Sequence, residues 1–483
     1  MAPMKTSARV AATVPARDAA QRRTLAVLVT SQILGTIGLG VAPSIGILLA
    51  GEVTDNEAWA GLARTSSTLG AALLGLPLGN LAARRGRRTA LATGWWIAAA
   101  GATLLVAAAQ WQLVLPLFLG LLMTGAGSAA SLQSRFAATD LAAPSTRARS
   151  LSLVVWMGAI GNVLGPNLGV PGEALGEATG LSVYAAAFLI AAIASLLAGG
   201  VILVLLRPDP LLVLLRRQAV TGRDSAGPGP DGPFDDVLDD AVAGIAPGAP
   251  PAVASGADPA VASAVASGAS SAVVADTVVT AAVHRRRGER FRRMVAEIRT
   301  DRRARTALVA LLTSQVVMVS LMTMTPVHVE HQGGSLTIVG LTISLHVAGM
   351  FGLAPVVGLL VDRIGHRATI SLGIAIFAGS LATAIFASNS LGGVIVALIL
   401  LGLGWSFMNV TASALFSTVI ADTSRASAQG GADALSNLLG ATASFAAGPL
   451  MVATSFSVLG IVAAVFMVPV VLLVLDPENW RLA

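Results

Sequence analysis

Methionine and histidine recur at a spacing of four residues in two consecutive apolar segments. Met318 and Met322 form one pair, and His346 and Met350 form the other. Residues four apart lie on one face of a helix, so each segment can aim two metal-binding groups in the same direction. Thioether sulfur with imidazole, and no carboxylate close by, is a ligand set that favours Cu(I) over hard cations. Methionine also fills gaps in helix packing, so a purely structural role is the competing interpretation.

The composition indicates a polytopic membrane protein. Of the 483 residues, 55% are hydrophobic and only 12% are charged, which is more apolar surface than a soluble domain could bury. The chain has no cysteine, and it contains neither a phosphate-binding G-x-x-x-x-G-K-[ST] loop nor a nucleophile–base constellation. We therefore expect no enzyme activity, no cofactor and no nucleotide. The net charge of +6 comes from arginines beside apolar segments, where membrane orientation explains them without a nucleic-acid partner.

Windows of about 20 apolar residues, the length that crosses the hydrocarbon core, predict an all-α membrane protein with twelve transmembrane helices. They fall into two groups of six. The first group is 25–50, 59–81, 89–109, 113–137, 150–170 and 182–206, and the second is 306–328, 337–361, 368–387, 391–418, 434–454 and 456–475.

The arginines predict the orientation of these helices. Most of them follow even-numbered spans or precede the seventh, which places those turns and both termini in the cytoplasm. Arg64 is an exception near the outer end of the second span, where we expect its side chain to extend to the membrane interface. The protein is expected in the cytoplasmic membrane of the cell, surrounded by lipid, and as a monomer.

A region between the two groups of helices lacks hydrophobic periodicity. Residues 222–283 are mainly Ala, Val, Gly, Ser, Pro and Asp, a composition that predicts a flexible linker. Its last part, with apolar residues at helical spacing among arginines around Phe291 and Ile298, predicts a basic amphipathic helix on the inner leaflet. The expected organisation is a tail (1–24), a six-helix bundle (25–207), the linker (208–303), a second six-helix bundle (304–476) and a short tail (477–483).

The turns after spans two and eight repeat one pattern and indicate duplication of a six-helix unit. These cytoplasmic turns resemble the G-x-x-x-D-R-x-G-R-[RK] signature of the major facilitator superfamily, although Ala83 occupies the acidic position in the first copy. The resemblance implies two pseudo-symmetric six-helix halves and alternating access. The residues assigned to these gate loops are Gly79, Arg84, Gly86 and Arg87 in the first half, and Asp362, Arg363, Gly365 and Arg367 in the second.

Span five carries Gly161, Gly165 and Pro166 in a pattern similar to the G-x-x-x-G-P-x-x-G motif of antiporter branches of that superfamily. Small residues permit close helix packing, and the proline is expected to bend the helix. Ionisable residues inside membrane helices are candidates for energy coupling. This chain offers few of them: Arg135, Asp140 and Asp433.

The two motifs of the opening paragraph, M-x-x-x-M on span seven and H-x-x-x-M on span eight, resemble the CcoA-like branch of the superfamily, which takes up copper. The resemblance implies Met318, Met322, His346 and Met350 as copper ligands. Counting residues from the outer ends of the two helices places both pairs at a similar depth near the membrane midplane. His328 and His331 lie closer to the outer mouth, where they could collect metal.

Three functions compete at this point. The first is secondary transport of copper, as import, through the Met/His site. The second is proton-coupled antiport of a drug or small organic solute, with Met318 and Met322 as a soft lining of the cavity. The third is a membrane scaffold or sensor that does not transport and uses the linker to bind partners, for which Ala83 is the main support.

The first prediction concerns topology. A single cysteine introduced at Ser270, in the linker, should react with membrane-impermeant maleimide only from the cytoplasmic side. A cysteine at Glu177, in a turn expected outside, should react from the other side and serves as the control. Labelling of Ser270→Cys from outside only would overturn the assigned orientation.

Overall fold

The computed structural model describes residues 5–143, 146–216, 300–420 and 422–480. Most of the expected linker, including the basic amphipathic helix around Phe291 and Ile298, lies outside these residues. Within them the chain is helical, with short turns and no β-strand. A helix satisfies the hydrogen bonds of its backbone N–H and C=O groups internally, which matters because the hydrocarbon core offers no hydrogen-bond partners. The prediction of an all-α membrane protein is confirmed.

The α-helices of the N-terminal half are α1 (Lys5–Leu39), α2 (Ile47–Thr54), α3 (Trp59–Arg85), α4 (Arg87–Trp111), α5 (Val114–Asp140), α6 (Arg147–Leu164), α7 (Gly169–Thr179) and α8 (Val183–Leu205). Those of the C-terminal half are α9 (Arg302–His331), α10 (Leu336–Gly352), α11 (Ala354–Phe386), α12 (Leu391–Val419), α13 (Asp422–Ala453) and α14 (Phe456–Leu475).

Ten segments of the described residues are long and apolar enough to cross a membrane. Helix α3 is not among them, and α10 and α11 are counted as one segment, Leu336–Phe386. Inside that segment Gly365 has a non-helical backbone, which divides α11 at the second arginine-rich turn. The total of twelve spans therefore remains a prediction.

Prolines interrupt three of the spans. A π-helical turn at Ala42–Gly46, which contains Pro43, separates α1 from α2. A 3₁₀ turn at Gly165–Leu168 lies where Pro166 was expected to bend span five, and α7 then continues the helix to Thr179, beyond the predicted end at residue 170. The third interruption is between α10 and α11, next to Pro355. Proline removes an N–H donor and collides with the preceding helical turn, so the helix changes geometry at each position.

The two arginine-rich turns have the same backbone conformation. Gly86, between α3 and α4, has φ +88°, and Gly365 within α11 has φ +80°. Only glycine adopts this left-handed region without strain. The repeated glycine of the two gate loops is therefore a requirement of the turn. We call the side of the bundle away from these turns the outer side.

Two helix pairs join the halves on the outer side. In the first, α3 packs closely on α13: the Thr65 hydroxyl donates to the Ala441 carbonyl at 3.0 Å, and the Ser444 hydroxyl donates to the Gly61 carbonyl at 3.2 Å. A side chain at Gly61 or at Gly448 would collide with the backbone of the facing helix. Glycine at these positions permits the close approach. We call this contact the α3–α13 seam.

The second contact joins α6 and the 3₁₀ turn to α10. The Asn167 amide donates to the Ser344 hydroxyl at 2.6 Å, and that hydroxyl donates to the Val163 carbonyl at 2.5 Å. A side chain at Gly340 would collide with the Pro166 carbonyl. The change of helix geometry at Pro166 thus lies directly in the contact between the halves. We call this contact the α6–α10 seam.

Replacing Gly61 by alanine should destabilise the α3–α13 seam. The added methyl group would meet the carbonyl oxygens of Ser444 and Phe445, the second at 3.1 Å, so the two helices must separate. Overpacking of this kind costs about 1–3 kcal/mol. We expect a lower melting temperature of the detergent-solubilised protein, followed by tryptophan fluorescence.

Gly392→Ala is the matched control, because no heavy atom lies within 4 Å of a methyl group there. Both substitutions change glycine to a better helix former. Equal melting temperatures for Gly61→Ala and Gly392→Ala would contradict the importance of the seam.

Candidate functional site

Trp405 on α12 connects the two helices that carry the Met/His motifs. Its indole N–H donates to the Gln315 side-chain oxygen on α9 at 3.3 Å. Its ring also packs edge-on against Phe351 on α10, with ring centroids 5.8 Å apart. Gln315 lies three residues before Met318, and Phe351 directly follows Met350. The inner ends of the two motifs therefore meet at the same side chain.

The depth of the ligand pairs follows from this contact. Helices α9 and α10 run in opposite directions, so Met318 and Met350 lie at one level near Trp405. One turn further outward, Met322 and His346 share the next level. All four side chains are buried, and His346 has no solvent-exposed surface. By this count along the helices, the four predicted ligands have similar heights on the two helices that Trp405 contacts, and their convergence on one site stays a prediction.

His346 has one occupied and one free ring nitrogen. Its Nδ1 lies 2.9 Å from the Leu398 carbonyl oxygen on α12. A carbonyl only accepts hydrogen bonds, so Nδ1 carries the proton, and in the neutral ring Nε2 presents a lone pair. Nε2 is buried and has no hydrogen-bond partner among the described residues. Gly402 permits this arrangement, because a side chain there would collide with the His346 carbonyl.

The methionine pair on α9 is linked to the α3–α13 seam. Thr323, next to Met322, lies 3.2 Å from the Ser444 hydroxyl. That hydroxyl also reaches the Gly61 carbonyl at 3.2 Å. Two hydroxyl groups therefore connect the seam to the turn of α9 that carries Met322.

Arg64 does not extend to the membrane interface, and this expectation was wrong. Many protein atoms surround its guanidinium, although the residue as a whole is only half-buried. It is close enough to His346 for its charge to act on the imidazole. The reason is the position of Arg64 within the α3–α13 seam, where α3 faces the other half of the protein.

The two histidines expected at the outer mouth have different environments. His328 is buried inside the C-terminal half: its ring stacks on Phe456 at 4.3 Å, and its Nε2 lies 2.9 Å from the Ser388 carbonyl. This packing corrects the expectation that His328 could collect metal at the outer mouth, because its ring is buried and its Nε2 already bonded. His331 is exposed and donates to the Glu57 carboxylate at 2.5 Å, which adds a polar contact between the halves.

The three residues considered for coupling form two separate contacts. Asp140 pairs with Arg87 of the first gate loop at 3.0 Å. Arg135 and Asp433 belong to different halves and are electrostatic neighbours. In the part of the chain that the structure describes, they form no direct ion pair, and the buried Arg135 Nε has no hydrogen-bond partner.

An acidic residue from another part of the chain contacts the first gate loop, although Ala83 occupies the acidic position within the loop. The Asp209 carboxylate, which follows α8, accepts a hydrogen bond from the Arg88 backbone N–H at 2.7 Å, at the start of α4. A carboxylate at a helix N-terminus satisfies a free donor and interacts favourably with the helix dipole. Its carboxylate also lies against Gly86, where a methyl group would collide with it.

The second gate loop contacts the end of a helix. Arg367 donates to the carbonyls of Val474 and Leu475, both at 3.2 Å, at the C-terminus of α14. Arginine at this position bonds carbonyl oxygens that have no partner within the helix. In each half, a charged side chain near the turn therefore ties the loop to the end of another helix.

Sequence reasoning missed three of these residues. Gln315 and Asp209 were not singled out, and Arg64 was assigned to the interface. A signal existed for Arg64, since a charge between Gly61 and Thr65 on a helix rich in small residues indicates a packed surface. Asp209 had a weaker signal, an acidic residue directly after Pro208 at the end of a span. The partner of Gln315 is 90 residues away, so its role could not be read locally.

Comparison with known proteins supports the same fold. The family model for the Major Facilitator Superfamily matches residues 25–335 and 306–482. YddS, an uncharacterised MFS-type transporter of Bacillus subtilis, is 32% identical over 93% of this chain and 90% of its own length. The riboflavin transporter RfnT of Brucella anthropi is 27% identical, and the alignment covers 96% of each protein.

Solved structures agree on the architecture. The crystal structure of the nucleoside transporter NupG superposes with a TM-score of 0.62 at 14% identity, covering 94% of this chain and 99% of NupG. A POT family transporter in complex with 5-aminolevulinic acid gives 0.63, again at 14% identity, covering 95% of this chain and 97% of that transporter. These structures show the shared fold, and the family model together with YddS shows that the chain belongs to the Major Facilitator Superfamily of secondary transporters.

Proposed function

We propose that this transporter moves copper across the cytoplasmic membrane, as Cu(I) and in the import direction, through a site formed by Met318, Met322, His346 and Met350. The observation that carries the proposal is the buried His346 imidazole, whose Nε2 has no hydrogen-bond partner within the described part of the chain. An unsatisfied buried polar atom costs free energy. A ligand that bonds Nε2 would supply the missing interaction and offset this cost.

The hydrogen bond at Nδ1 supports metal binding in particular. A histidine that binds a metal usually donates its other ring N–H to a carbonyl or carboxylate, which orients the ring and selects the tautomer. The Leu398 carbonyl does this for His346 at 2.9 Å. The three methionines of the proposed site are buried as well, and thioethers prefer Cu(I) to hard cations.

Alternating access supplies the transport mechanism. The two halves meet in the α3–α13 and α6–α10 seams on the outer side. Thr323 and Ser444 connect the first seam to the turn that carries Met322. Opening and closing of the seam would therefore be coupled to the geometry of the site. We further propose that the transporter acts as a monomer with cytoplasmic termini.

A second candidate is transport of a small organic solute. The positive charge of Arg64 near His346 is unfavourable for a bare cation and favourable for an anionic or electron-rich group. The relative RfnT is named a riboflavin transporter and is 27% identical over almost the whole chain. If the cargo is an organic solute, His346 Nε2 accepts a hydrogen bond from it, and the methionines form the apolar lining of the binding site.

The ligand variants separate these functions. Met318→Leu, Met322→Leu and Met350→Leu should each reduce copper uptake at least tenfold, on the order of 1.4 kcal/mol of lost binding, because a bond to sulfur disappears while side-chain volume is kept. His346→Asn should do the same, because its amide can still donate to Leu398 but lacks an atom at the position of Nε2. We would measure copper in cells by mass spectrometry, together with uptake of radiolabelled riboflavin.

Met324→Leu and Met408→Leu are matched controls, since both methionines are buried in the same half and lie outside the proposed ligand set. They should transport as the parent does. Parental copper uptake in both Met318→Leu and Met350→Leu would refute the copper site. Riboflavin uptake that survives those substitutions but not His346→Asn would favour the organic solute.

A further inference from the structure

The orientation of Arg64 on α3 follows from the contacts of its neighbours. Gly61 and Thr65 touch α13, whereas Gly70 packs against Leu122 of α5 within the N-terminal half. At 100° per residue, Gly70 lies opposite Gly61, while Arg64 lies about 60° from Gly61 on one side and about 60° from Ser67, which packs on Gly125 of α5, on the other. Arg64 therefore lies at the edge of the seam, between the side of α3 that contacts the C-terminal half and the side that contacts α5.

The guanidinium has no acidic partner among the described residues. Its neighbours Ser67 and Thr68 bond its backbone and not its side chain: their hydroxyls donate to the Arg64 carbonyl at 3.0 and 3.1 Å. The charge of Arg64 acts on His346. An imidazole is either neutral or positive, so His346 cannot neutralise the guanidinium. An arginine within a membrane-spanning segment normally has its charge paired, because an uncompensated charge away from water is costly.

A bare copper ion would increase this imbalance. With Arg64 beside His346 and no carboxylate among the four proposed ligands, two positive charges would share one membrane-embedded site. A monoanion that accompanies the cargo neutralises one of these two charges, so that the cargo adds no further positive charge to the site. Arginine is suited to this role, because its planar fork of N–H donors binds compact anions.

We propose that Arg64 forms an anion-binding subsite beside His346 and that the transported species includes a compact monoanion. The anion is either a free halide that accompanies the metal or the carboxylate of an organic cargo, and both would accept hydrogen bonds from the same guanidinium. This inference deepens the proposed function and relies on it for the position of the cargo.

Anion binding can be measured without any transport. We would follow thermal unfolding of the purified full-length protein in detergent over concentration series of sodium chloride and of sodium acetate. A ligand that binds the folded state raises the melting temperature with saturation. The parent should show a saturable rise with at least one anion, and Arg64→Lys should keep it at reduced affinity because the charge remains.

Arg64→Gln and Arg64→Met should abolish the saturable rise, or move it to at least tenfold higher anion concentration. Two neutral variants are used so that one failing to fold does not end the test. Arg23→Gln, which removes an exposed arginine near the start of the first span, is the control for general salt effects. A response to chloride alone identifies an inorganic counter-ion, and a response to acetate alone identifies a carboxylate-bearing cargo.

Two results would overturn the subsite: no saturable response of the parent to either anion, or the same response in the neutral variants as in the parent. Copper uptake into proteoliposomes distinguishes this failure from failure of the proposed function. Copper uptake by the parent without an anion response rejects the Arg64 subsite alone. An anion response that depends on Arg64, without copper uptake, rejects copper and keeps the subsite.

Discussion

Close contact of the two halves through glycine is the constraint on which the other features of this transporter depend. At Gly61 and Gly448, α3 and α13 approach until a methyl group on either would collide with the opposite backbone. Thr65 and Ser444 can then bond carbonyls of the facing helix. In a membrane, helix association gains little from hydrophobic burial, so packing of small residues and such hydrogen bonds provide much of the attraction.

The same contact determines the electrostatics of the interior. Because α3 faces the C-terminal half at Gly61 and Thr65, the arginine between them is brought near His346 instead of the lipid. A fixed positive charge and an unpartnered imidazole nitrogen then share one region. A soft metal suits the imidazole and the thioethers, while an anion suits the arginine. Copper accompanied by an anion would satisfy both groups.

The two halves stabilise corresponding turns with different chemistry. Both turns need a glycine with positive φ, at Gly86 and Gly365. Around the first turn, the loss of the acidic residue at Ala83 is accompanied by a carboxylate from Asp209, which caps α4. Around the second, Arg367 bonds the carbonyls at the end of α14. Duplication preserved the backbone, and the side-chain contacts diverged because several donors or acceptors can satisfy a helix end.

Sequence alone was sufficient for the membrane class, the helical fold, the superfamily and the glycine turns, because hydropathy, proline and glycine act locally. It also predicted that Met318 and Met322, like His346 and Met350, share a helix face. Only the tertiary structure determined that Trp405 joins the two motifs, that Leu398 orients His346, that His328 is packed on Phe456 and that Arg64 lies inside the protein. Each of these depends on contacts between helices distant in sequence, and a side chain such as Arg64 has the same local pattern whether it faces lipid or the other half.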